Sequence, residues 1–223
     1  MARFFDMSGF RRTARGAVAL SGELLITAGV LVGLYIVYLL TWTSVVAHEE
    51  ARANVCTLEK EWAASVNVQP RTAQPFATIQ IPQIRNPEVW PILDGTVQTE
   101  LSQGVGWYPA SQLPGQQGNF AVAAHRRTWG DMFRYLDEVK TGDSVVVQDG
   151  NTTYTYRVIE DPVYVDPTAV DVLDTIPGHS GLTKPGRYIT LTTCDPVYNS
   201  YRRLIVFGQL VSQHTVQQTS KTC

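Results

Sequence analysis

Two different rhythms of apolar residues divide this chain. From Leu24 to Ala47 there is no Asp, Glu, Lys or Arg in 24 residues, and the stretch from Leu24 to Leu40 is apolar almost throughout. About 20 residues at 1.5 Å per residue cross the hydrocarbon core of a bilayer, so residues 24–47 are predicted as a transmembrane helix. A signal peptide is the competing reading, but its apolar region usually spans about 7 to 15 residues, and no small-x-small cleavage site follows at once. From Phe76 onward the rhythm changes to short β-rich runs broken by Pro and Gly, over residues 77–81, 88–92, 119–124, 143–148, 152–159, 186–193 and 203–211. Strands at this spacing predict a closed barrel or a sandwich. One helix is predicted among them, over residues 131–139.

The remaining segments fall into place around these two. Residues 48–75 are rich in Ala and in charge (Glu49, Glu50, Arg52, Glu59, Lys60, Glu61) and read as a helical stalk and linker, with Pro70 and Pro75 at its end. The expected organisation is a cytoplasmic segment 1–23, the membrane helix 24–47, an extracellular stalk 48–75, a β-domain 76–212 and a tail 213–223. Arg3, Arg11, Arg12 and Arg15 outnumber Asp6 and Glu23 ahead of the apolar stretch, so the positive-inside bias puts the N-terminus in the cytoplasm and the β-domain outside.

Charge and cysteine usage narrow the function classes. A net charge of only −2 argues against nucleic acid as a partner, which usually demands a concentrated basic surface. Three cysteines, Cys56, Cys194 and Cys223, all fall on the outer side, and an odd count leaves at least one thiol unpaired. Cys56 and Cys223 could pair with each other or between chains. No Cys-x-x-Cys occurs and His48, His125, His179 and His214 lack ligand-like spacing, so neither a metal nor another cofactor is expected. His179 reads as a loop histidine.

The chemistry lies in Leu191-Thr192-Thr193-Cys194, followed nine residues on by Arg203 at the head of Leu204-Ile205-Val206-Phe207. A thiol of ordinary pKa is only slightly ionised at neutral pH, so a cysteine nucleophile needs a cation or a base beside it. A hairpin that lays residues 188–194 against 203–210 would supply the Arg203 guanidinium. Arg202 is the alternative, because a one-residue slip turns a strand side chain to the other face. A buried cysteine acting as a small hydrophobe is the alternative for Cys194 itself. A third partner favours chemistry: His125 ends the apolar run Phe120-Ala121-Val122-Ala123-Ala124, and a distant histidine brought to a cysteine by the fold is a recognised catalytic arrangement.

Thr190-Leu191-Thr192-Thr193-Cys194, the later Arg203-Leu204-Ile205-Val206, and Gly118-Asn119-Phe120-Ala121-Val122-Ala123-Ala124-His125-Arg126 together resemble the three catalytic blocks of the sortases, class E above all. The likeness runs from about Phe76 to Val211. Departures are Ala124 where the family often has Gly, and Asp131-Met132-Phe133, which lacks a Pro often found there. The resemblance implies an all-β, eight-stranded barrel with short helices behind an N-terminal membrane helix. It implies a cysteine transpeptidase in which Cys194 attacks a sorting-signal peptide, Arg203 stabilises the oxyanion and His125 handles the leaving and incoming amines. The implied substrate motif is Leu-Ala-x-Thr-Gly or Leu-Pro-x-Thr-Gly on surface proteins. The acceptor is a cell-wall precursor amine of the lipid II type, or a pilin lysine in the polymerising sortases. Residues 66–74 lack the Asp-Pro-aromatic lid common in the latter, which favours the housekeeping role. Tyr108 matches a class E tyrosine tied to preference for Ala over Pro, and its other reading is an aromatic packed on a turn. Thr193 alternates to the face opposite Cys194 and is expected to support structure.

Overall fold

A computed structural model of the chain describes residues 7–64, 66–85, 87–197 and 199–216. Arg3, Asp6 and Cys223, each used above, lie outside the described residues. The chain forms two compact units, Met1–Trp42 and Thr43–Cys223. The first is helical: α1 (Met7–Val37) runs into a π-helical turn, Tyr38–Trp42. Its window Leu20–Val37 is long and apolar enough to cross a membrane, with a mean hydropathy of 1.9, and Leu24, Leu25, Ile26, Val30 and Leu31 are all exposed on its surface. Thr27 and Thr41 donate their hydroxyls back to the carbonyl oxygens of Glu23 and Val37 (2.8 and 2.7 Å), which satisfies them without any outside partner.

The second unit opens with α2 (Thr43–Ala63), which buries Ala47, Ala51, Leu58 and Trp62 and packs on the first two strands that follow. Among the described residues nine strands come next: β1 (Pro75–Gln80), β2 (Trp90–Asp94), β3 (Val105–Trp107), β4 (Gly118–Ala123), β5 (Ser144–Asp149), β6 (Thr152–Val158), β7 (Val163–Val165), β8 (Arg187–Asp195) and β9 (Arg202–Thr215). Eight of them close a ring in the order β6-β5-β1-β2-β3-β4-β8-β9, with β9 returning to β6. This is the closed barrel of the two architectures the strand pattern allowed, with the eight strands that the resemblance implied. The closure works because β9 is long: its first half pairs with β8, and residues 208–215 pair with β6. β7 covers the side of β9 opposite β8, at residues 203–205. The barrel interior is filled by Phe76, Ile79, Ile92, Phe120, Val122, Val145, Val147, Tyr156, Ile189, Leu191, Leu204 and Val206.

The helix expected over residues 131–139 does not form. Thr128, Trp129, Gly130 and Asp131 all take positive φ, so the chain is still turning where the helix should start, and only a 3-10 turn, Leu136–Glu138, follows. Met132, Phe133, Leu136 and Val139 are buried there, and the last three, spaced by three, suit 3-10 geometry. Two short strands, β3 and β7, were not anticipated. β9 continues to Thr215, four residues past the run that reads as a strand.

Candidate active site

Strand pairing decides which side chains meet at one end of the barrel. Cys194 and Arg203 are direct cross-strand partners in the β8–β9 hairpin, and Arg203 Nη1 donates to Cys194 Sγ at 3.4 Å. Alternation sends Ile189, Leu191 and Thr193 to the interior and Thr192 and Cys194 to the outer face. On β9, Leu204 and Val206 point inward, while Ile205 and Phe207 pack outside against Val165 and Val172 from the chain that crosses this face. Cys194 is a free thiol, half-buried rather than sealed in the core. Arg202 faces the other way, and its Nε donates to Asp195 Oδ2 at 2.5 Å.

His125 reaches the same place from β4. This strand lies parallel to β8 in the register Ala121↔Thr190 and Ala123↔Thr192, and the Ala124 N–H donates to the Thr192 carbonyl oxygen at 3.2 Å. Two residues further along each strand stand His125 and Cys194, on the same outer side because Phe120, Val122 and Ala124 fill the core. From the inner side the Thr193 hydroxyl donates to the Ala124 carbonyl oxygen at 2.8 Å, tying the two strand ends together. His125 Nε2 is buried and has no hydrogen-bond partner among the described residues. Burial holds the imidazole below its ordinary pKa, partly offset by the charge of Asp131. The loop that carries Asp131 is closed by the Phe133 N–H donating to the His125 carbonyl oxygen at 3.0 Å. It packs under Trp90: a Cβ on Gly130 would sit 3.0 Å from that ring. Trp90 is in turn flanked by His48 of α2, with ring centroids 4.9 Å apart, and His48 Nδ1 is 2.9 Å from Glu88.

Tyr108 follows β3 and brings its hydroxyl to 3.3 Å from Thr192 Oγ1, on the side of β8 that bears Cys194. His179 stays in an exposed loop with its Nε2 3.4 Å from Asp171 Oδ2. His214 pairs with Thr153 across β9 and β6, at the barrel end opposite Cys194. Cys56 is engaged in a disulfide. Among the described residues no three His, Cys, Asp or Glu side chains are placed to hold a metal ion. Sequence reasoning passed over Arg126 and Asp195, which form a buried ion pair directly behind His125 and Cys194. The available signal was their position, each one residue after a candidate group in a chain whose side chains alternate.

Residues 79–211 match the family model of the sortase domain. The chain belongs to the sortase family. Within that family it is of class E, as its relatives show. It is 38% identical over 202 residues to sortase SrtE1 of Streptomyces coelicolor, covering 86% of this chain and 56% of that protein. To SrtE2 of the same organism it is 36% identical over 219 residues, covering 92% and 86%. The chain thus spans little more than half the length of one of these relatives and most of the other. Among solved structures, sortase E from Streptomyces avermitilis superposes with a TM-score of 0.59 at 41% identity, covering 65% of this chain and 93% of that one. Sortase E1 from Streptomyces coelicolor, solved with a tripeptide in its active site, gives 0.61 at 35% identity, covering 66% and 94%. The family is one of cysteine transpeptidases, and this sortase domain carries Cys194 in the barrel, on β8.

Proposed function

We propose that this sortase cleaves the Thr-Gly bond of a Leu-Ala-x-Thr-Gly or Leu-Pro-x-Thr-Gly sorting signal and joins the freed threonine carbonyl to a cell-wall amine. The Cys194 thiolate attacks the threonine carbonyl carbon, and the Arg203 guanidinium takes the charge that develops on the carbonyl oxygen. His125, as imidazolium, gives its proton to the departing glycine nitrogen, leaving a thioacyl enzyme and a neutral ring. That ring accepts the proton of the incoming amine as the amide forms and the sulfur leaves. Tyr108 lines the substrate side of the site beside Thr192, and Thr193 supports it from behind. The observation that carries this reading is the 3.4 Å contact between Arg203 and the free thiol of Cys194. A buried, inert cysteine has no use for a charged partner on a cross-strand position.

The apolar span Leu20–Val37 holds the enzyme in the cell membrane, with the N-terminus in the cytoplasm and the barrel outside, where surface proteins and a lipid-linked acceptor meet. The test uses the full chain in detergent with fluorogenic Leu-Ala-x-Thr-Gly and Leu-Pro-x-Thr-Gly peptides and a glycine-based acceptor. Wild-type protein is expected to cleave and to form the glycine adduct, and Cys194→Ala to do neither. Equal cleavage by both proteins would remove Cys194 from the chemistry and the reading with it.

A further inference from the structure

The three groups assigned to the reaction share a feature on the opposite side of the sheet. Each has a charged neighbour one residue away: Arg126 after His125, Asp195 after Cys194, and Arg202 before Arg203. These neighbours are bound to one another. Arg126 Nη1 donates to Asp195 Oδ1, while Asp195 Oδ2 accepts from Arg202 Nε at 2.5 Å. Arg126 also reaches Asp137 Oδ2 at 2.8 Å and, through Nε, the Arg134 carbonyl oxygen at 3.5 Å. Arg202 lies over the ring of Tyr164, 4.0 Å from its centroid. Arg126 and Asp195 are both buried.

Such a cluster is an expensive way to hold a fold together. Desolvating two charges offsets most of their attraction, and apolar residues of similar size often stabilise as well or better. What a carboxylate between two guanidiniums does supply is a fixed width, one arginine on each oxygen, with directional bonds. Here that width spans the ends of β4, β8 and β9, the three ends that carry His125, Cys194 and Arg203.

Resting on the reading of Cys194 as nucleophile, we infer that Arg126, Asp195 and Arg202 are positioning residues, an inner ion ladder that sets the spacing of imidazole, sulfur and guanidinium on the outer face. Successive side chains point to opposite faces, so a shift of any ladder member moves the reacting group attached to it through one peptide unit. A displacement of about 1 Å in such an arrangement costs on the order of 100-fold in rate.

The experiment compares Asp195→Asn and Arg202→Gln with wild type as full-length protein in detergent. Steady-state kinetics give kcat and KM, and mass spectrometry of the Cys194 peptide follows its alkylation by iodoacetamide across pH. Asp195→Asn keeps size and one acceptor oxygen, and it is expected to lower kcat about 100-fold with KM within about threefold, and to slow alkylation and displace its pH profile. Arg202→Gln, at the more open end, is expected to do the same to a smaller degree, about tenfold in kcat. A merely structural tie would lower the thermal midpoint and leave the alkylation profile of the folded protein where it was, and that result overturns the proposal. If Asp195→Asn fails to fold, Arg202→Gln decides by the same profile. The alkylation arm needs no turnover, so a wild-type protein that cleaves no peptide defeats the proposed function, whereas an unmoved profile defeats the ladder.

Discussion

Arg203 and Cys194 face each other across the β8–β9 hairpin with Nη1 and Sγ 3.4 Å apart. In the proposed mechanism a guanidinium at that distance serves both the thiolate and the oxyanion that follows it. Arg203→Ala is expected to lower kcat about 100- to 1,000-fold, the usual cost of losing an oxyanion donor. Arg203→Lys should fall between, because a lysine keeps the charge but not the fork. Kinetics with a sorting peptide, together with the alkylation rate of Cys194 at pH 7, check both. Wild-type values for Arg203→Ala would exclude the contact from the reaction.

The depressed imidazole of His125 makes stability depend on pH in a defined direction. Its native pKa is lowered by burial, so the unfolded chain takes up the proton first as pH falls. Stability from this residue is therefore complete above the ordinary imidazole value, about 6.5, and is lost as pH drops through it toward the native one. Urea midpoints at pH 7.5 and 5.5 should diverge more for wild type than for His125→Gln. Asp131→Asn removes the one charge that opposes the shift, so NMR titration should place His125 lower still. A native His125 that titrates at or above the ordinary value would contradict both.

Asp149 sits at the β5–β6 turn, and burial pushes its pKa up to about 6. The shift has the opposite sign for stability: the native state holds its proton longer than the unfolded state, so stability is lost as pH rises from about 4 to 6. Asp149→Asn is expected to stabilise the protein by about 1–2 kcal/mol at pH 7 and by little at pH 4. Chemical denaturation at the two pH values measures the difference.

α2 is part of the barrel's packing, since Leu58 and Trp62 are almost wholly buried and the helix lies on β1 and β2. Leu58→Ala is expected to cost about 2–4 kcal/mol by the cavity it leaves. A domain cut at Phe76 should melt well below one cut at Thr43. Equal melting temperatures would show that the helix contributes nothing to the barrel.

Much of the barrel is written in local pattern. The seven β-rich runs all became strands, and the hairpin that joins Cys194 to Arg203 follows from alternation and the intervening loop. β3 and β7 were hidden because three residues carry too little pattern; Val105, Gly106 and Trp107 gain strand geometry only from β2 and β4 on either side. The segment after His125 misled for a related reason. Its apolar residues at 132, 133, 136 and 139 suit a helix, but positive φ from Thr128 to Asp131 and the bond from Phe133 back to His125 leave room for one 3-10 turn. At the site, the cysteine and its arginine were readable from spacing. The parallel pairing of β4 with β8, which places His125, is a non-local contact that no single-chain pattern reveals. The ladder behind them was missed because charged residues beside a motif ordinarily read as solvated surface.

The late position of β9 has a consequence for the nascent protein. The strand that seals the ring is the same one that presents Arg203, and among the described strands it is the last in chain order, so it emerges after the other eight. Until it docks, the sulfur has no cation at its side, and the barrel has two open edges. Docking of Arg203 beside Cys194 and completion of the fold are thus one event, so an incompletely folded chain carries a thiol that still lacks the neighbour proposed to activate it.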